Sequence, residues 1–185
     1  QYNLKGTNLN ISILKSGDIR EDSGIYFSNG EFTGLLSVDA NMINFDRLPK
    51  VNFYGSSFAG GASGYPLMFD NYKVEEQIKI SLKDQNFLKK KLYNRLKIMS
   101  PDYFMPYAGF FTEKLKRDKK ILKYNKKNSI DDYLKFCELN KIEVLNVLKN
   151  DFNHMRSCTL VCILLFQTVK MSVATEAPLP AAIAN

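Results

Sequence analysis

Histidine is nearly missing from this chain: its 185 residues include one, His154. A single imidazole cannot make a first-row metal site, so the plainer reading of His154 is a surface or packing residue. Cysteine is scarce as well. Cys137, Cys158 and Cys162 form no even-numbered set at disulfide spacing, and the pair four apart lacks the partners of a zinc site. Small buried hydrophobes in a reducing compartment is the better expectation. Long apolar runs are missing too. The longest nearly uncharged stretch, Ser157 to Val169, falls short of the roughly 20 residues that a bilayer-spanning helix needs. No signal peptide opens the chain. These absences exclude a disulfide scaffold and a membrane span, and make a cytoplasmic location the default. The first residue is Gln1 and not Met, so a natural N-terminus that is missing or has been processed away is expected.

What is present suits one soluble globular domain: 45% hydrophobic and 24% charged residues, enough for a core. The net charge of +7 is concentrated between Lys73 and Lys127, in runs such as Lys89-Lys90-Lys91 and Lys119-Lys120. Such a surface attracts anions, including a nucleotide-linked substrate, although a solvated helix face explains it as well. No aromatic-interleaved signature accompanies the lysines, so no nucleic-acid partner is predicted.

The first fifty residues read as strands and turns. Leu9 to Leu14 alternates apolar and polar residues, Ile25-Tyr26-Phe27 is a second strand, Ser28-Asn29-Gly30 a hairpin signal, and Phe32 to Val38 a third strand. A fourth, Val51 to Tyr54, runs into a loop of small residues, Gly55 to Gly64. From Val74 to Met99 the apolar period becomes helical, with an irregular point expected at Asn86-Phe87 and a stop at Pro101. Tyr103-Phe104-Met105 reads as a buried strand, Ser129 to Leu139 as a capped helix, and Ile142 to Leu148 as a last strand. The fold class is therefore α/β, one half of a layered structure with a mixed sheet and flanking helices. After about Arg156 lysine and asparagine nearly vanish while alanine and proline accumulate. Two parts follow: residues 1–153 as the domain, and 154–185 as a divergent, disordered or foreign tail.

Two features could carry chemistry. Gly60, Gly61 and Gly64 let backbone approach a ligand, and a strand delivering such a loop ahead of a helix can aim N–H groups at an anion. The spacing matches neither of the common phosphate-loop patterns, and a tight structural turn fits equally. Asp39 ends the apolar run Gly34 to Val38, so a strand delivers its carboxylate to a sheet edge. That position suits a metal or a turn-forming aspartate.

Several stretches resemble one family. Phe58-Ala59-Gly60-Gly61-Ala62-Ser63-Gly64-Tyr65-Pro66 is similar to the FAGGASGFP segment of CMP-N-acetylneuraminate hydroxylases, with Arg47-Leu48-Pro49 in register upstream. Pro106-Tyr107-Ala108-Gly109-Phe110-Phe111 resembles that family's PFAGYF, and Asn125-Lys126-Lys127-Asn128 its NTKN. The resemblance covers about residues 9 to 150. Val38-Asp39 falls where the family carries a carboxylate of its metallo-β-lactamase-like fold. There are two departures. Gly17 to Asp22 lacks the histidine of the family's GVHPEMD segment, and Ser57 stands where the family has an aspartate.

The resemblance implies a partial metallo-β-lactamase-like αβ/βα sandwich. The parent would be an iron-dependent monooxygenase that hydroxylates the N-acetyl group of a CMP-activated sialic acid. Its iron or zinc and a Rieske 2Fe–2S cluster would rest on residues upstream of Gln1. Asp39 would be the metal ligand here, and Gly60, Gly61, Ser63, Gly64, Tyr107 and Gly109 would contact substrate. The implied partners are a nucleotide sugar, an electron donor and the missing N-terminal half of the protein. The fragment is expected to hold no cofactor tightly and to be inactive alone. The alternatives are a metal-dependent hydrolase of the wider superfamily and a non-catalytic binding domain.

Overall fold

The computed structural model describes residues 2–3, 7–19, 21–60, 64–110 and 114–147. Seven strands among them form one mixed sheet: β1 (Tyr2–Asn3), β2 (Asn10–Lys15), β3 (Ser23–Ser28), β4 (Thr33–Val38), β5 (Phe53–Ser57), β6 (Tyr103–Ala108) and β7 (Glu143–Val144). Their spatial order is their chain order. β1 to β4 run as an antiparallel meander, and β4 to β7 are parallel. The change follows from the connections. The β3–β4 hairpin spans Asn29 to Phe32, whose Asn29 side chain accepts the backbone N–H groups of Glu31 and Phe32 at 3.1 and 2.8 Å. Parallel neighbours instead need crossovers of about a dozen residues or more. Here these are the segment holding the 3-10 turn Phe45–Arg47, then α1 (Val74–Met99), then α2 (Lys119–Tyr124) with α3 (Asp131–Leu139).

Registered pairs carry one row of side chains across the sheet: Ser12, Tyr26, Leu35, Tyr54, Phe104 and Val144. Leu35, Tyr54 and Phe104 in this row form a core with Leu92 and Leu96 of α1, Tyr133 and Cys137 of α3, and Ala40, Ile43 and Val51 of the first crossover. Each such large apolar side chain contributes about 1.5–3 kcal/mol by leaving water, and Leu96→Ala would cost about 2–5 kcal/mol. Hydroxyls on the same face satisfy one another: the Ser37 and Tyr54 hydroxyls lie 3.0 Å apart, and Ser37 Oγ donates to Ser56 Oγ at 3.2 Å. On the opposite face Phe27 and Phe53 pair at 6.3 Å between ring centroids, flanking Gly34, where a Cβ would run into the Phe27 ring. Ile13 and Ile25, registered opposite each other on that face, remain exposed.

The expected α/β half-sandwich with a mixed sheet is what forms. α1 has the predicted limits, and Ser100 closes it in a left-handed conformation, its N–H on the Leu96 carbonyl at 2.8 Å, directly before Pro101. Four readings need correction. The fourth strand is Phe53–Ser57 and not Val51–Tyr54, because β4 and β6 flank the chain on both sides as far as Ser56 and draw the expected start of the glycine loop into the sheet. No irregularity occurs at Asn86-Phe87, because Phe87 turns outward to solvent while the helix backbone continues. The last strand is Glu143–Val144 only, since just one neighbour, β6, is there to pair with it. β6 continues past Met105 to Ala108, because β5 accompanies it that far. The proposed tail, with His154, Cys158 and Cys162, lies outside the described residues.

Candidate functional site

Because β4, β5 and β6 are parallel, their C-terminal ends share one edge. Asp39 follows β4, Gly60 lies shortly beyond β5, and Tyr107 with Gly109 closes β6. The carboxyl ends of parallel strands are where α/β sheets commonly receive ligands. Gly61 and Ser63 fall outside the described residues. The other predicted positions, Asp39, Gly60, Gly64, Tyr107 and Gly109, are reached by this edge and the loop that leaves it.

The edge is held by specific bonds. A register shift interrupts the β4–β5 pairing between Leu36 and Val38, and Val38 adopts φ 32°. That turn directs the chain into the exposed Asp39. Ser57 Oγ donates to the Val38 carbonyl at 2.9 Å, so the serine that replaces the family's aspartate ties β5 to β4. The Tyr107 ring lies against Gly55, where a Cβ would come within 3.1 Å of it. Its phenol receives the Val38 backbone N–H. Burial foremost, then the neighbouring Tyr54 and the Asp39 charge, push this phenol's pKa well up, against the opposing Val38 bond, so it remains a neutral hydroxyl at physiological pH.

Gly109 adopts φ 124°, and a Cβ there would lie 2.9 Å from the Ala59 Cβ. The Phe58 N–H donates to the Ala108 carbonyl at 3.0 Å, and the Phe58 and Phe110 rings sit 4.9 Å apart. The Phe58 carbonyl in turn accepts Tyr133 Oη at 2.6 Å and Asn128 Nδ2 at 3.3 Å. The glycine loop is thus anchored at its start to β6, α3 and the Asn125–Asn128 stretch. These are the segments that carried the family motifs.

Sequence reasoning missed two contributors. Arg95, 6% exposed, donates to the Asn41 carbonyl at 3.1 Å and to Asn41 Oδ1 at 2.7 Å, with its guanidinium 5.1 Å from the Phe45 ring centroid. It fixes the crossover just after Asp39. Its signal was a charge standing on the Leu88-Leu92 stripe of an otherwise amphipathic helix. The second is the loop before β3. Met42 N–H donates to Ser16 Oγ at 3.1 Å and Gly17 N–H to the Met42 carbonyl at 3.3 Å. These bonds bring the segment that lacks the family's histidine alongside the Asp39 turn.

Among the described residues, no three of histidine, cysteine, aspartate and glutamate gather where they could hold a metal ion. Asp39 with a neutral phenol and a serine hydroxyl falls short of the three protein ligands of a catalytic zinc site, and contains none of the sulfur or imidazole of a Rieske cluster. The donor set does not fit an iron, zinc or iron–sulfur centre. What the edge can do is hydrogen-bond a polar ligand through one carboxylate and one phenol. No helix among the described residues is long and apolar enough to cross a membrane.

No family model matches the chain, and no solved structure matches it. Curated proteins do. The cytidine monophosphate-N-acetylneuraminic acid hydroxylase of Danio rerio is 41% identical over 103 residues, 51% of this chain and 17% of that protein. Its counterpart in Pongo pygmaeus is 40% identical over 102 residues, again 51% of this chain and 17% of the relative. The Homo sapiens protein named as an inactive cytidine monophosphate-N-acetylneuraminic acid hydroxylase is 40% identical over 102 residues, 51% of this chain and 19% of that one. The chain thus spans less than a fifth of the length of these relatives. Over about half of its own length, this chain is related to the CMP-N-acetylneuraminic acid hydroxylase family, as its glycine and aromatic motifs indicated.

Proposed function

We propose that this chain supplies a substrate-binding part of a nucleotide-sugar hydroxylase acting on a CMP-activated sialic acid, and not its redox centre. The observation that supports this most is the convergence of Asp39, the start of the glycine loop and Tyr107–Gly109 on the C-terminal edge of three parallel strands. Asp39 would accept hydrogen bonds from ligand hydroxyls, and neutral Tyr107 would donate one. If the metallo-β-lactamase-like reading holds, further metal ligands and the second half of the sandwich belong to sequence beyond this chain. The exposed Ile13–Ile25 strip would then face that second half.

A non-catalytic binding domain is the second reading. It is favoured by Ser57 in place of the family's aspartate and by the missing histidine in Gly17–Asp22. Calorimetric titration of the full chain with CMP-sialic acid tests the first reading. Binding that weakens about five- to tenfold in Asp39→Asn, as expected for one lost charged hydrogen bond, supports it, and absence of binding overturns it. Iron or zinc is not expected to survive dialysis. Stoichiometric retention that is lost in Asp39→Ala would show that the chain holds the metal centre itself.

A further inference from the structure

The net charge of the chain is confined to one stretch. Between Lys114 and Lys127 eight lysines and arginines stand against one aspartate, a surplus of seven, and the whole chain carries +7. Everything outside that stretch is therefore balanced. Seven of the eight cations are lysines, and Lys116, Lys119 and Lys123 are among those exposed. The carboxylates nearby meet them only at the surface: Arg117 Nε lies 3.2 Å from Asp118, and Lys120 Nζ 4.0 Å from the exposed Asp70.

The same surface carries apolar side chains that the fold leaves outside. The loop after Gly64 sits on α2. A Cβ at Gly64 would come within 2.5 Å of the Ile121 side chain, and the Lys120–Asp70 pair joins the two segments again. Leu67, 2% exposed, anchors this loop, whereas Tyr65, Met68 and Phe69 around it are 47%, 57% and 46% exposed. Hydrogen bonds hold them there. The Leu67 and Phe69 N–H groups donate to the Gly64 and Pro66 carbonyls at 2.7 and 3.0 Å. The amide of Gln77, buried in α1 as is Ser81 one turn on, donates to the Pro66 carbonyl at 3.2 Å and to the Phe69 carbonyl. From the basic stretch itself Leu115 and Leu122 are also more than half exposed. Apolar groups kept in water beside charges of one sign mark an interaction surface.

We propose that the Gly64–Asp70 loop and the Lys114–Lys127 stretch dock on the surface of an anionic lipid bilayer. Charge complementarity sets the sign of the partner. Lysine is a point charge suited to a diffuse field, whereas bidentate recognition of single phosphates or carboxylates favours arginine, which occurs here once. The rings gather in the loop and do not interleave with the lysines, which disfavours nucleic acid. Tyr65, Met68 and Phe69 would enter the headgroup boundary, as in proteins that lie on a bilayer without spanning it. Each lysine near an anionic leaflet raises binding about fivefold, through an attraction that fades within a Debye length. None of this draws on the nucleotide-sugar reading.

The test is co-sedimentation of the full chain with vesicles of phosphatidylcholine alone and of phosphatidylcholine mixed with phosphatidylserine. The chain should sediment only with the mixed vesicles, and binding should drop steeply between about 0.1 and 0.5 M salt. A triple variant, Lys116→Gln with Lys119→Gln and Lys123→Gln, should bind about a hundredfold more weakly at an unchanged unfolding temperature. The chain has no tryptophan, so Phe69→Trp supplies a single reporter, whose emission should shift to the blue on the mixed vesicles. Equal binding to both kinds of vesicle, or undiminished binding by the triple variant, overturns the proposal. So does sedimentation without a blue shift, because the loop then stays in water. If soluble polyglutamate or duplex DNA binds at lower concentration than the mixed vesicles do, the partner is an acidic macromolecule and the assignment to lipid falls.

Discussion

At Cys137 the thiol sits fully buried in the α3 face of the core, and burial pushes its pKa up to about 11. A thiolate is the reactive species, so this residue should be inert near neutral pH. In the folded protein we expect no alkylation of the Cys137 peptide by iodoacetamide at pH 8, and full alkylation in urea, read by peptide mass mapping. Labelling under native conditions would mean that α3 opens locally. The sign of the linkage follows. The raised pKa lends stability that is complete below about pH 9 and is lost as pH climbs towards about 11. Much at this scale was legible in the sequence: cysteine as a buried hydrophobe, Asp39 at a strand end, glycine at 109. What was hidden is pairwise. Nothing local says that Asn128 reaches Phe58, or that Ser81 is buried, because both depend on how a crossover returns to the sheet.

Among the elements, α3 shows how a short helix is set in place. Asp132 accepts the Ser129 N–H at 2.8 Å and Lys89 Nζ of α1 at 2.7 Å, so one carboxylate both fastens the residue before α3's N-cap, Ile130, and joins α3 to the neighbouring helix. Lys89 foremost, then the Ser129 N–H, holds its pKa below the usual carboxylate range. A lowered pKa gives stability that is present above that range and is lost as pH falls through the lowered value. Asp132→Asn keeps an acceptor for Ser129 but removes the charge. It should cost about 1 kcal/mol at pH 7 and almost nothing once acid has protonated the wild-type carboxyl. Paired denaturation curves at the two pH values check this, and an unchanged difference would assign the effect to shape. The Ser129–Asp132 pairing was readable because it is local, but Ser129 is not the cap it was expected to be: Ile130 stands at the N-cap with no side-chain cap bond, and Ser129 donates to Asp132 from one residue earlier. Equally readable was α1, whose period persists for 26 residues. β1 and β7 are two residues each and show no period to detect. α2 lies in a lysine-dense stretch with one buried apolar residue, Ile121, and so left no stripe.

For the molecule as a whole, the principal core cluster among the described residues runs from Leu35 to Ile142. If residues 1–153 are the domain, truncation after Asn153 should leave a cooperative thermal transition and the same circular dichroism per residue. Loss of that transition would show that residues 154–185 are integral. The order of the strands has a further consequence, for the time course of folding. β2, β3 and β4 pair through short hairpins, so their contacts close small loops at little entropic cost. β5 can meet β6 only after some forty-five residues containing α1 have been gathered in. The meander should accordingly form early and serve as the template on which β5, β6 and β7 are laid down in turn. The candidate edge, incomplete until β5 and β6 are laid against β4, would be the last part of the sheet to take shape and the first to be lost on unfolding.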